Sequence, residues 1–102
     1  MTDEQFLREV KRYVHDIEPK AEVWLFGSQA RKDTRKDSDW DFLVLTDAIV
    51  DRALKRRMRD SLFYLELDSE RVIGTVIQNK ADWKNLEVTP LYQNIRQDGR
   101  AL

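Results

Sequence analysis

Two stretches of this chain hold residue types that can do chemistry together. They are Leu25-Phe26-Gly27-Ser28-Gln29-Ala30-Arg31 and, a few residues on, Ser38-Asp39-Trp40-Asp41-Phe42-Leu43-Val44. Gly27-Ser28 closes the apolar run Val23-Trp24-Leu25-Phe26, so a strand is expected to end where small residues begin. Glycine lets a backbone approach a phosphate closely, and serine adds a hydroxyl donor. A short helix starting near Gln29 would turn free N–H groups toward the same anion. Asp39 and Asp41 are two apart, so on a strand their carboxylates share one face, roughly 6.5–7 Å apart along the chain. Hard oxygen ligands at that spacing suit Mg²⁺, which binds through one or two carboxylates plus the phosphates of a substrate.

Alone, an Asp-x-Asp or a Gly-Ser says little in a chain this rich in aspartate. The order strand, Gly-Ser, basic turn, Asp-x-Asp, apolar strand is far more specific. In these residues the chain resembles the nucleotidyltransferase superfamily that includes DNA polymerase beta, and within it the minimal nucleotidyltransferases. Their pattern of Gly-Ser, then Ala-Arg, then Asp-x-Asp and apolar residues reads here as Gly27-Ser28-Gln29-Ala30-Arg31 and Ser38-Asp39-Trp40-Asp41-Phe42-Leu43-Val44.

The resemblance implies a polymerase beta-like palm core and a site that transfers a nucleotide, most plausibly AMP from ATP. Asp39 and Asp41 would bind two Mg²⁺ ions, Gly27 and Ser28 would cradle the phosphates, and Arg31 and Ser38 would complete the nucleotide site. It also implies a partner, a small helical HEPN-domain protein of the toxin–antitoxin kind.

Bulk properties bound the rest. The chain has 102 residues, 41% hydrophobic and 36% charged, with a net charge of −1. That fits one soluble domain over 1–102 with a modest core, and gives no global sign of a nucleic-acid or membrane binder. No apolar run reaches the length of a membrane span. The acidic start, Met1-Thr2-Asp3-Glu4-Gln5, is unlike a signal peptide, and with no cysteine a cytoplasmic location is expected. An oligomer remains open.

The elements that must position the two stretches follow from spacing. Thr2 with Gln5 predicts a capping box opening a helix that carries Phe6, Val10, Tyr13, Val14 and Ile17 and leaves at Pro19. Strands are predicted over Val23 to Phe26, about Trp40 to Leu45, and Arg71 to Ile77. Asp47 is the expected cap of a long helix to about Leu65, with Val50, Leu54, Met58 and Leu62 as its apolar stripe. Asn79 predicts a short helix through Trp83 and Leu86, and Thr89-Pro90 opens a last one that Gly99 stops. The fold class is α/β (α+β), a small mixed sheet backed by helices.

A third carboxylate is what the pattern lacks. The resemblance expects one on the third strand, but Val72-Ile73-Gly74-Thr75-Val76-Ile77 holds no acid. Glu70 precedes it and shares the parity of Val72, so it reaches the site only if the strand begins early; otherwise it is an ordinary surface residue. Two functional classes follow: a Mg²⁺-dependent transferase using Asp39, Asp41 and Glu70, or a binding module of the same fold that neutralises its partner by contact. Adenylation of a small molecule ranks below both, because no segment is spare for a substrate domain.

Other features have plain readings. His15 lies on an amphipathic helix, and Trp24, Trp40 and Trp83 read as core. Arg52, Lys55, Arg56, Arg57 and Arg59 form a solvated helix face or a docking surface for RNA or an acidic protein. Arg31-Lys32 and Arg35-Lys36 keep a loop soluble or attract a triphosphate.

Overall fold

A computed structural model of the chain describes residues 1–32 and 38–102; Arg35 and Lys36 lie outside the described residues. Helix α1 spans Asp3–Ile17. Its start is the expected capping box, with the Gln5 amide donating to Thr2 Oγ1 at 3.2 Å and the Thr2 amide to Gln5 Oε1 at 2.8 Å. Phe6, Leu7, Val10 and Val14 are its buried stripe. After Pro19 the chain turns into strand β1, Glu22–Phe26, and His15 holds that turn by donating from Nε2 to the Ala21 carbonyl at 2.9 Å.

A single turn, α2 at Ser28–Arg31, follows Gly27, and strand β2 runs Trp40–Thr46. Helix α3, Arg52–Ser69, leads to β3, Ile73–Asn79, then α4, Lys80–Lys84, α5, Pro90–Asp98, and a two-residue β4, Arg100–Ala101. The sheet order is β3-β2-β1-β4. Strands β1 and β2 are antiparallel, β2 and β3 parallel, and β4 pairs antiparallel with β1. The sheet is therefore mixed and carries helices, as the fold class required.

Because β2 is central, side chains on both of its faces are buried. Phe42 and Val44 join Val23, Leu25 and Ile77 against α1 and α3, whose Phe6, Met58 and Leu62 close the main core. Leu43 and Leu45 face the other way, onto Trp83 of α4 and Ile95 of α5. Each such side chain contributes about 1.5–3 kcal/mol on burial, which ties β2 in place from both sides. Asp41 lies on the second face, two residues before Leu43, where the helices no longer cover the sheet.

Several expected boundaries shift. Asp51, not Asp47, caps α3, its Oδ1 accepting from the Leu54 amide at 2.8 Å. Asp47 pairs with Lys80 at 3.5 Å, and Val50 stands ahead of the helix. The residues between form a turn, in which Thr46 Oγ1 accepts from the Ala48 amide and Asn79 Nδ2 donates to the Ala48 carbonyl. Strand β3 starts at Ile73 rather than Arg71, because Glu70 ends α3 in a left-handed conformation (φ 57°) and extension resumes only after it. Gly99 does stop α5, but with an ordinary φ of −65°; a β-carbon there would come within 2.3 Å of the Ile95 carbonyl. Among the described residues no helix is long and apolar enough to cross a membrane.

Candidate functional site

Register builds the site. Antiparallel pairing sets Phe26 opposite Asp41, so the loop leaving β1 at Gly27 arrives beside the Asp41 side chain. Parallel pairing sets Gly74 opposite Asp41 on the other flank. A β-carbon at Gly27 would lie 2.6 Å from Asp41 Oδ2, and one at Gly74 would lie 2.7 Å from Oδ1. Asp41 is thus cradled by two glycines, one just past the end of β1 and one within β3. Gly27 has a second reason to be glycine, since its φ of 77° lies where other residues are strained.

Electrostatics mark the same carboxylate. Burial pushes the Asp41 carboxyl above its ordinary value of 3.8, and the like charge of the neighbouring Asp39 pushes the same way. Among the described residues neither aspartate has an ion-pair partner. Half-buried Asp41 and exposed Asp39 are therefore a like-charged pair without an ion-pair partner among the described residues. An all-oxygen donor set, two negative charges and a cradle that a β-carbon would fill suit a hard divalent cation.

Beside the aspartates stands the single turn α2. Its turn is closed by the Ala30 and Arg31 amides donating to the Gly27 carbonyl at 3.1 and 3.2 Å. The amides of Ser28 and Gln29 precede this bonding, as the first donors of any helix do. Ser28 is half-buried, and Arg31 is exposed at the end of the turn. Gln29 carries a function that sequence reasoning missed: its Nε2 donates to the Ser38 carbonyl at 3.1 Å. That bond ties the α2 turn to the residue just before Asp39. Nothing in the local pattern distinguishes this glutamine, because its partner is nine positions away.

Gly74 was also invisible as a site residue, although an isolated glycine inside a strand signals close approach by another group. It occupies the point of β3 nearest Asp41, on the strand where a third acid was expected. Glu70 stands three residues before that strand, at the exposed end of α3. The early strand start that would have carried it to the site does not occur. Among the described residues no three His, Cys, Asp or Glu side chains gather closely enough to hold a metal together. The structure therefore brings together Gly27, Ser28, Asp39, Asp41 and Gly74, with Arg31 and Ser38 at the margins, and leaves Glu70 apart.

Further along the same sheet face, a cavity of about 450 Å³ opens between Trp24, Leu43 and the rings of Trp83 and Tyr92. It is apolar at its floor and rimmed by Lys80, Lys84 and Arg96. Trp40 and Trp83 are core residues as expected, whereas Trp24 keeps part of its ring at this opening.

Known proteins resemble the chain in family and in fold. The family described as a nucleotidyltransferase domain matches residues 7–98. No curated protein matches the chain in sequence. Among solved structures, a chain of a toxin–antitoxin complex crystallised with AMP-PNP superposes with a TM-score of 0.67 at 21% identity, covering 98% of this chain and 72% of that one. A MntA–HpeT toxin–antitoxin variant with two aspartate-to-glutamate substitutions gives 0.66 at 18% identity, over 92% and 69%. A complex of a tri-AMPylated Shewanella oneidensis HEPN toxin with its MNT antitoxin gives 0.67 at 18% identity, over 98% and 71%. At such identities these likenesses speak to the fold.

Proposed function

Since the chain belongs to the nucleotidyltransferase-domain family, we propose that it transfers a nucleotide, AMP from ATP, to a hydroxyl on a partner protein of the HEPN type, in the cytoplasm. The observation that carries this reading is the Asp41 carboxylate cradled by Gly27 and Gly74 beside Asp39. Asp39 and Asp41 would hold Mg²⁺, which when bound neutralises the triphosphate and polarises its reacting phosphoryl group.

The chain's own residues do the rest. Ser28 offers its hydroxyl and amide to the phosphates, and Gly27 leaves the room for them to approach. Arg31 adds positive charge at the outer end of the turn. Gln29 holds Ser38, and through it the approach to Asp39, in register with that turn. The apolar cavity beyond Leu43 offers the Trp24 ring as a surface for the base. The new bond joins the acceptor oxygen to the alpha-phosphorus, the bond to the bridging oxygen breaks, and pyrophosphate leaves.

One observation favours a second reading. Gly74 stands where a third carboxylate was expected, and Glu70 is remote from the pair. A nucleotide-binding module that restrains its partner by contact needs no third acid. The deciding experiment incubates the protein with labelled ATP, Mg²⁺ and a purified HEPN-domain protein. Adenylate on the partner that Asp41→Ala no longer adds supports transfer. Partner inhibition that survives in Asp41→Ala, with no label transferred, supports the contact module.

A further inference from the structure

The side of α3 that borders the sheet edge is complementary to itself when turned end for end. Arg52, Arg56, Arg59, Phe63, Glu66 and Glu70 succeed one another at alternating spacings of four and three residues, which aligns them in one stripe. Reversed about position 61, the stripe sets Arg52 against Glu70, Arg56 against Glu66, and Arg59 against the Phe63 ring. Within one helix this order is unfavourable: α3 has no acid in its first turn and no base in its last, the reverse of what the helix dipole prefers. An antiparallel copy of the same helix would pair both glutamates with arginines and set Arg59 over the Phe63 ring.

The strand beside it has the same property. β3 is an edge of the sheet and carries neither proline nor charge. The Val72 carbonyl accepts from the Trp40 amide at 2.9 Å, so residues of that parity turn their backbone groups toward β2. Ile73, Thr75 and Ile77 then turn theirs outward. Glu66 accepts the first of these, the Ile73 amide, at 3.1 Å. Half-buried Thr75 presents an outward donor and acceptor, and Ile77 continues that parity, the template that edge strands ordinarily avoid. Antiparallel pairing about Thr75 would put Ile73 of one copy opposite Ile77 of the other.

Both symmetries share one place. Arg59, Phe63, Glu66 and Thr75 line a single groove between α3 and β3, in which Phe63 is 53% exposed. We propose that two copies of this chain associate about a two-fold axis through this groove, β3 to β3 and α3 to α3, in one continuous sheet. Helices α1 and α3 cover four strands, so the second copy's α3 falls at ordinary helix-packing distance from the first. Asp41 lies on the opposite face of the sheet, so the dimer leaves the nucleotide site open.

Sedimentation velocity over roughly 1–100 μM, where interfaces of ordinary size associate, tests this. The expected result is a reversible species of twice 12.2 kDa. Thr75→Pro removes only an outward donor and should give a monomer with an unchanged circular dichroism spectrum. Should that variant misfold, a charge exchange decides. Arg52→Glu or Glu70→Arg alone should weaken association roughly tenfold, and both in one chain should restore it. In hydrogen exchange, the Thr75 and Ile77 amides should slow as concentration rises. A monomer at every concentration, or a dimer indifferent to these substitutions, would overturn the proposal.

Discussion

Gly74 stands directly across the parallel ladder from Asp41, so close that a β-carbon on it would sit 2.7 Å from a carboxylate oxygen. The strand expected to supply a third acid instead supplies space, and the position of the Asp41 carboxylate depends on that space.

Gly74→Ala is therefore expected to damage the site and spare the fold. Its backbone is ordinary strand, where alanine is no worse than glycine, but the Asp41 carboxylate must rotate away. Titration calorimetry should show ATP affinity in Mg²⁺ lowered by tenfold or more, with the thermal midpoint nearly unchanged. Gly27→Ala should lose affinity as well and also stability, by about 1–2 kcal/mol, because its φ of 77° is left-handed.

Asp41→Asn is expected to raise the thermal midpoint of the metal-free protein at neutral pH while abolishing Mg²⁺-dependent nucleotide binding. Burial and Asp39 raise the Asp41 pKa in the folded state, so folding favours the protonated form. The cost of ionised Asp41 is fully present above its folded pKa and disappears toward its ordinary 3.8. Melting wild type and variant in EDTA from neutral pH down to 4.5 should show their difference shrinking. Glu4 stays out of that comparison: Arg100 lowers its pKa, so its stabilising contribution is lost only below the ordinary 4.5. A difference that grew with acidity would contradict this account.

Gln29→Ala removes the bond to the Ser38 carbonyl, a hydrogen bond of ordinary net worth near 0.5–1.5 kcal/mol. Nucleotide affinity should fall several-fold, with the main core and the cooperativity of unfolding untouched. Gln29→Glu should not rescue, because a carboxylate cannot donate to a carbonyl.

Arg71 supports the fold away from the site. Its guanidinium lies 4.9 Å from the Phe6 ring centroid and 5.9 Å from that of Trp40, and it donates to Asp3 Oδ1 and the Met1 carbonyl. Arg71→Ala should cost about 1–2 kcal/mol in urea unfolding at unchanged slope. Lysine should recover little, since it lacks the planar group that stacks.

Much of this was legible in the chain because it is local. Thr2 with Gln5, Asn79 and Thr89-Pro90 are helix starts whose partners lie within three residues, and all three hold. The alternation Trp40-Asp41-Phe42-Leu43 separated the site face of β2 from its core face before any fold was known. One cap was misplaced: Asp47 is engaged by the Lys80 ion pair ahead of the turn at Ala48, and Asp51 takes the role. β4 is too short to show any period.

By itself, then, the sequence determined most of the helices and strands, the family motif, and the shared side of the two aspartates, because these depend on spacing along one segment. Only the tertiary structure decided what surrounds Asp41. Gly27 reaches it through antiparallel register, Gly74 through parallel register, and Gln29 secures Ser38 across a loop, while the left-handed turn at Glu70 keeps that acid away. Contacts between segments are set by strand register and by the packing of β2 between two cores, and no periodicity within a single segment encodes either.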